Sequence, residues 1–392
     1  MADLLQRGEK QVGSLTLLNK LLLTLAGVAS LGGLMLPVSG PIADQLAGGS
    51  TSASVKLLSA VSLMLVLAWF VWQRRVTGAR MLSAVAAGVL SCWGAAVLIS
   101  LLEFIEPASG YWSGVIAAWA LGWLCVEQLA AIDSHSAWLQ WLLRLIIPLA
   151  FGIWLLVIWE IGTRGFDVPQ VLLPSPSAIG HRFVSSTATL WVDFKQTFLK
   201  AVLIGYALGC GAGFLVALVI DRSPFLKRGL LPIGNLVSAL PVVGVAPIMV
   251  MWFGFDWPSK AAVVVIMTFF PMLVNTVTGL SASSDMQTDL MKTYASGYWQ
   301  SLFKLRLPQA LPFIFNALKI NSTLALIGAI VAEFFGTPIV GMGFRISTEV
   351  GRMNVDMVWA EIAVAALAGS LFYGFIALLE RVFTFWHPSF RN

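Results

Sequence analysis

The carboxylate of Glu333 has the clearest chemical consequence in this sequence, because it falls near one end of an apolar window. An ionised side chain inside a bilayer costs about 2.5–3.5 kcal/mol unless water, a counter-charge or a proton compensates it. Two interpretations of Glu333 stay open. It lines or gates a translocation pathway, or it lies near the lipid headgroups or pairs with Arg345 or Arg352 in the segment that follows.

Three other polar side chains fall in apolar windows: Asn321 and Ser322 in the same window as Glu333, and Asn275 in the one before it. Such amides and hydroxyls hydrogen-bond between helices or face an aqueous pathway, and the first role is the safer assignment. No catalytic or metal site is predicted, because the three cysteines and three histidines lack the spacing of metal ligands. The pattern Gly-x4-Gly-Lys-Ser/Thr is absent from the sequence, so this polypeptide is not expected to hydrolyse a nucleotide through a P-loop.

Glycine recurs at every fourth position of one apolar window, at Gly205, Gly209 and Gly213. The run 209–213 is rich in glycine like a phosphate-binding loop, but no Lys-Ser/Thr follows it. Small residues at this spacing form one face of a helix and let a second helix approach closely. The pattern therefore predicts a helix-packing surface.

The elements that carry these side chains must lie in a membrane. Hydrophobic residues make up 58% of the chain and charged residues 11%, with a mean hydropathy of +0.86, which is too little polar surface for a soluble globule of this size. Windows of about 20 apolar residues predict an all-α polytopic membrane protein with about ten transmembrane helices. The predicted spans are 16–37, 55–73, 81–103, 111–131, 142–161, 198–220, 230–253, 260–281, 318–336 and 357–380.

The distribution of basic residues predicts the orientation of these spans. Most of the 24 lysines and arginines fall on one side of the membrane if the N-terminus is cytoplasmic. Both termini and the segment 282–317 then lie in the cytoplasm, and no cleavable signal is predicted. The net charge of +5 is explained by loops that face anionic membrane lipid, so no nucleic-acid partner is expected.

The segment 282–317 is a polar interruption between two apolar spans, and it has a helical pattern. Leu290, Tyr294, Tyr298, Leu302 and Leu305 fall on one side of the predicted helix. The prolines at positions 308 and 312 are expected to end this helix before the next span begins. An amphipathic helix held outside the bilayer docks on a partner or lies on the lipid surface, and the pattern alone allows both.

This segment resembles the coupling loop of the membrane subunits of binding-protein-dependent ABC importers. The family pattern is an acidic-Ala-Ala triplet, a glycine four residues later, and Leu-Pro with its proline thirteen residues beyond that glycine. Counting back from Leu307 and Pro308 places 289–291 (Asp-Leu-Met) at the triplet and Ala295 at the glycine, while Gly297 lies two residues late. Either the turn has moved to Gly297 or alanine suffices at position 295.

Further blocks of sequence resemble the nitrate/sulfonate/taurine branch of that family, in the same order along the chain. They lie within about 140–385, and their joint occurrence is more specific than any one block. The blocks are 173–179 (LPSPSAI), 240–247 (LPVVGVAP), 252–254 (WFG), 270–276 (FPMLVNT), 331–336 (VAEFFG) and 341–343 (GMG).

The resemblance implies a type I permease of the bacterial inner membrane. Its six-helix core would occupy 138–392, with the coupling loop at 282–317, and a four-helix membrane extension, 1–137, would precede it. The implied partners are an ABC ATPase that binds ATP and magnesium, a periplasmic substrate-binding protein and a second permease copy. The implied substrate is a small organic or inorganic anion or a vitamin precursor. The coupling residues would be Asp289, Tyr294, Ala295, Gly297, Leu302, Leu307 and Pro308.

Two other classes of protein would share the polytopic pattern. A stand-alone secondary transporter or channel predicts buried charges for ion coupling and symmetry between halves, whereas this sequence has one candidate acid and no such symmetry. A scaffold or receptor built on the first four spans would need neither an ATPase nor a binding protein. Co-purification of those two partners with this chain distinguishes the importer from both alternatives.

Overall fold

The computed structural model describes residues 80–102, 109–130, 137–223, 225–229, 241–336 and 339–386, together with 28–29, 107 and 232–233. Regular secondary structure in these ranges is helical. The helices are α1 (Arg80–Leu101), α2 (Ser109–Ala130), α3 (Ala137–Gly165), α4 (Pro176–Ser185), α5 (Thr187–Phe194), α6 (Leu203–Arg222), α7 (Val242–Phe253), α8 (Trp257–Leu280), α9 (Asp285–Thr293), α10 (Tyr298–Ser301), α11 (Leu307–Glu333), α12 (Met342–Gly351) and α13 (Val355–Phe383).

Seven helical stretches of the described chain are long and apolar enough to cross a membrane. They overlap seven of the ten predicted spans. The predicted spans 16–37 and 55–73 lie outside the described residues, and 230–253 is represented mainly by the shorter helix α7. The seven stretches are Ala84–Leu101, Ser109–Ala130, Gln140–Gly165, Thr187–Arg222, Trp257–Leu280, Tyr298–Glu333 and Val355–Phe383.

Two of these stretches, at 36 residues each, are much longer than the spans predicted at 198–220 and 318–336. In Thr187–Arg222 a π-helical segment, Lys195–Val202, joins α5 to α6 without a break. In Tyr298–Glu333 the π-helical segment Leu302–Arg306 joins α10 to α11. The expectation that the prolines end the helix was therefore wrong. Pro308 stands in the first turn of α11, directly after the wider π turn, where a missing backbone N–H is tolerated.

By its contacts the chain divides into two units, Met1–Ser177 and Ala178–Asn392. In the first unit α1 and α2 pack along each other, and α3 packs mainly on α2. The Tyr111 hydroxyl donates to the Leu98 carbonyl at 3.0 Å, and the Ser91 hydroxyl donates to the Ala118 carbonyl at 2.9 Å. Because α3 belongs to this unit, the unit ends about 40 residues after the domain boundary predicted at 137/138. The predicted boundary concerns the start of the permease core, and it stays a prediction.

Helix α8 is the centre of the second unit, with α6 on one side and α11 on the other. Asp256 caps α8 by accepting from the backbone N–H of Trp257 at 2.7 Å, and this bond holds the pKa of Asp256 below its usual range. The three spaced glycines of α6 face α8. A Cβ would lie 2.6 Å from Val264 Cβ at position 205, 2.1 Å from Thr268 Oγ1 at position 209, and 2.5 Å from the Phe269 carbonyl at position 213.

Candidate functional site

The polar loop, residues 281–306, begins with a helix that caps itself. At the start of α9 the backbone N–H of Gln287 donates to Ser284 Oγ at 3.3 Å, and the N–H of Ser284 donates to Gln287 Oε1 at 3.1 Å. This capping box satisfies two backbone donors that the first helical turn would otherwise leave unpaired. The short helix is thus defined by its own sequence and lies at the surface of the unit.

The turn after α9 identifies which residue stands at the family's glycine position. Ala295 has a φ of +53°, in the left-handed region that favours glycine, and its N–H donates to the Lys292 carbonyl at 2.8 Å. Gly297 has a φ of −71°, which every residue type adopts. The turn has therefore not moved to Gly297, and alanine is accommodated at position 295.

This geometry predicts opposite outcomes at two neighbouring positions. Ala295→Gly should raise the free energy of unfolding by up to about 1 kcal/mol, because glycine adopts a positive φ without strain. Ala295→Val should lower the free energy of unfolding by about 1–2 kcal/mol, because a β-branched residue resists a positive φ. Gly297→Ala should be near neutral, since a Cβ there meets nothing within 4 Å. Thermal unfolding of the purified chain in detergent measures all three, and a larger loss for Gly297→Ala than for Ala295→Val would contradict the assignment.

The polar loop is two helical segments, so the predicted single face from Leu290 to Leu305 was wrong. The left-handed turn redirects the chain, and Tyr298 begins α10. On α9 and at the residue that caps its C-terminus an apolar stripe remains exposed, with Met286 at 83%, Leu290 at 56% and Tyr294 at 77%. Its spacing of four residues is that of one helix face.

The seven predicted coupling residues separate into two groups. Four of them, Asp289, Tyr294, Ala295 and Gly297, lie exposed on the polar loop. Leu302 is buried in the main core of the second unit, and Leu307 packs against that core as a partly buried side chain. Pro308 is also partly buried. The first group is therefore available to a partner, whereas the second connects the loop to the core of the second unit.

A buried ion pair anchors the polar loop to the transmembrane helices. Arg306 donates to both carboxylate oxygens of Asp221, at 2.5 and 2.8 Å, and its Nε donates to the Leu280 carbonyl at 3.0 Å. The Tyr298 hydroxyl donates to the same Asp221 carboxylate at 3.0 Å. Four contacts thus join the end of α6, the end of α8, the start of α10 and the last residue of the π-helical segment that follows α10. We call this set of contacts around Arg306 and Asp221 the joint. Sequence reasoning missed it, because 85 residues separate the two charges.

Glu333 is enclosed by its own chain, with 2% of its surface exposed. Its carboxylate accepts from Thr197 Oγ1 at 2.8 and 3.0 Å and from the backbone N–H of Gly343 at 2.7 Å. The Thr197 hydroxyl oxygen in turn accepts from the N–H of Met342 at 2.8 Å. Glu333 therefore fastens the start of α12 to the π-helical part of the α5 to α6 stretch.

The predicted pairing of Glu333 with Arg345 or Arg352 was wrong. Arg345 pairs with the buried Asp193 at 2.8 Å, and Arg352 pairs with Glu349 at 3.1 Å. Asp193 also accepts from the N–H of Gly341 at 2.6 Å. A basic side chain is not needed at Glu333 because hydroxyl and backbone donors already bind it. A role for Glu333 in the pathway stays a prediction.

The other candidate pathway residues form hydrogen bonds within or between the transmembrane helices. Asn321 is buried and donates to the Thr268 carbonyl at 2.8 Å and to Cys210 Sγ at 3.2 Å, so it links α11 to both α8 and α6. Ser322 donates to the Lys319 carbonyl at 2.7 Å, and the partly buried Asn275 donates to the Pro271 carbonyl at 2.8 Å, each within its own helix. Within the described ranges no group of three or more His, Cys, Asp or Glu is placed to hold a metal ion.

Comparison with known proteins gives consistent matches to one family. Residues 209–384 match the family described as binding-protein-dependent transport system inner membrane component. The chain is 34% identical to the formylaminopyrimidine transport permease protein of Halalkalibacterium halodurans, over 62% of this chain and 96% of that protein. It is 31% identical to the riboflavin transport system permease protein of Chloroflexus aurantiacus, over 60% and 88%. It is 28% identical to a putative aliphatic sulfonates transport permease protein of Bacillus subtilis, over 64% and 90%.

Proposed function

The chain belongs to the family of binding-protein-dependent transport system inner membrane components, and we propose that two copies of it form the membrane part of one importer. It is a multi-pass, non-catalytic permease subunit of an ABC importer, and it contributes the substrate translocation pathway. A closed pair related by twofold symmetry is the simplest assembly in which one kind of chain supplies both halves of a pathway. In this proposal residues 138–392 form the permease core and 1–137 the membrane extension.

The exposed stripe of α9 carries the proposal that the polar loop binds an ABC ATPase. Three large apolar side chains on a capped helix offer a surface that fits an apolar groove of a partner. The ATPase would hold ATP and magnesium, and its closure would move α9. The Arg306 to Asp221 joint would then pass this movement to α6, α8 and α11 as a rigid-body displacement.

The proposed orientation places the polar loop and both termini in the cytoplasm. The lysines and arginines are concentrated on that side of the predicted topology. The helices α4 and α12 would then lie on the opposite face, toward the substrate-binding protein. On that face the side chain of Arg182 in α4 pairs with Asp356 at the start of α13 at 2.8 Å, which would fix α4 on the core of the second unit.

Leu290→Glu should abolish binding of the ATPase while the permease itself remains folded. The substitution puts a charge in the centre of the exposed stripe, where docking would desolvate it. The measurement is co-purification of the ATPase subunit from cells that express the whole importer, together with the ATP hydrolysis of the recovered complex. We expect a loss of at least about tenfold in recovered ATPase.

Lys292→Glu is the matched control, because it introduces the same residue on the opposite side of α9. Lys292 pairs with Asp289 at 2.9 Å, in an exposed ion pair that contributes little stability. Recovery of the ATPase should stay within about twofold of the wild type. If both variants behave alike, or if Leu290→Glu retains the ATPase, the docking assignment is wrong.

We propose that the substrate is a small organic or inorganic anion or a vitamin precursor, delivered by a periplasmic binding protein. The relatives are described as transporters of a formylaminopyrimidine, riboflavin and aliphatic sulfonates, which all fit this range. Mass spectrometry of the ligand retained by the purified binding protein would identify the compound. A macromolecule, or a metal ion without an organic ligand, would contradict the proposed class.

A further inference from the structure

A cavity of about 300 Å³ lies within the first unit, between α2 and α3. Three tryptophans dominate its lining, and the rings of Trp119 and Trp123 meet edge to face at 5.3 Å between centroids. Gly122 makes room for the third, because a Cβ at this position would lie 2.2 Å from the indole nitrogen of Trp154. The lining residues are Trp119, Gly122, Trp123, Val126, Glu127, Phe151, Trp154, Leu155 and Ile158.

Glu127 is the one ionisable residue in this lining. Both of its carboxylate oxygens are buried and have no hydrogen-bond partner within the described part of the chain. This contrasts with Glu333, Asp193 and Asp221 of the second unit, whose carboxylates are bound by hydroxyl, backbone or arginine donors. A buried carboxylate without a donor is costly, so its presence points to a compensating partner.

The position of Glu127 along α2 indicates how that partner reaches it. The connection from α2 to α3 spans only six residues, which makes the two helices antiparallel neighbours. Gly122 faces Trp154, and Glu127 lies five residues beyond it, level with the residues around Phe151. Glu127 itself is three residues from the end of the apolar stretch Ser109–Ala130, roughly 5 Å along the helix axis. The carboxylate is therefore close to one end of the span, where an amphiphilic cation can enter from the membrane surface.

We propose that this cavity binds a small hydrophobic organic cation, such as a quaternary ammonium or a protonated aromatic amine. The carboxylate supplies the counter-charge, and the indole rings supply electron-rich faces that attract a cation. The apolar remainder of the lining, which includes Phe151, Leu155 and Ile158, excludes strongly hydrated inorganic cations. The inference does not depend on the proposed importer function, because all the residues concerned lie in the first unit.

Isothermal titration calorimetry of the purified full-length chain in detergent tests this site. The probe is benzyltrimethylammonium, and neopentylbenzene, in which carbon replaces the nitrogen, is the neutral isostere. We expect saturable binding of the cation at one site per chain and at least about tenfold weaker binding of the isostere. Glu127→Gln should weaken cation binding at least about tenfold, and Trp123→Leu by severalfold.

Trp141→Leu is the matched control, because Trp141 is 59% exposed on α3 and does not line the cavity. It should leave cation binding unchanged. Absence of binding to the wild type, equal binding of the neutral isostere, or full retention of binding in Glu127→Gln would each overturn the proposal. The comparison of cation and isostere uses only the wild type, so it decides the matter even if a variant fails to fold.

Discussion

Replacing Arg306 with methionine is expected to lower the free energy of unfolding by about 3–5 kcal/mol and to abolish ATP hydrolysis coupled to transport. The Asp221 side chain is 2% exposed, so the substitution would leave a buried carboxylate with the Tyr298 hydroxyl as its remaining donor. The Leu280 carbonyl would lose the guanidinium donor as well. Thermal unfolding in detergent measures the first effect, and transport by the reconstituted importer in proteoliposomes measures the second.

Lys304→Met is the matched control for this prediction, since it removes the same charge from an exposed side chain in the same π-helical turn. Its effect on stability should stay within about 0.5 kcal/mol. In a double-mutant cycle, the losses from Arg306→Met and Asp221→Asn should overlap, because the two residues form one contact. Strictly additive losses would show that the joint does not act as a unit.

Hydrophobic periodicity predicted the position of the polar loop but not its internal break, which the family resemblance alone placed, at Ala295 or Gly297. Acidic and polar residues between two apolar spans predict a helix outside the bilayer, and α9 stands between the apolar stretches Trp257–Leu280 and Tyr298–Glu333. Tyr294 and Tyr298 are four residues apart, so the helical period continues across the turn and conceals it. The turn itself depends on the left-handed conformation of Ala295, which no residue preference indicates for alanine.

The polar contacts of the second unit could not be predicted from the sequence, for a different reason. The Asp221 to Arg306 and Thr197 to Glu333 contacts join residues 85 and 136 positions apart, and each pairing depends on how distant helices pack. The position of Glu333 in an apolar window indicated that its carboxylate needs a partner. The basic residues close to it in sequence, however, are not that partner. Only the spaced glycines of α6 gave a usable signal of a long-range contact, because their role depends on size alone.

Gly343→Ala is expected to displace the start of α12 and to lower the free energy of unfolding by about 1–3 kcal/mol. A Cβ at this position would lie 2.2 Å from the Ile330 carbonyl oxygen and 2.9 Å from Glu333 Cβ, so backbone must move to admit it. That movement would lengthen the 2.7 Å bond from the Gly343 N–H to Glu333. Gly351→Ala, near the end of α12, meets nothing within 4 Å and should be close to neutral.

Glu333→Leu should cause a loss of stability like that expected for Gly343→Ala, because it removes the acceptor instead of moving the donor. The buried Thr197 hydroxyl and the Gly343 N–H would both lose their acceptor, at a cost of about 1–3 kcal/mol each. Glu333→Gln keeps one acceptor oxygen and should lose less. Thermal unfolding ranks the three variants, and transport in proteoliposomes adds a second test. If Glu333→Leu is as stable as the wild type but does not transport, the carboxylate serves the translocation pathway and does not fasten α12.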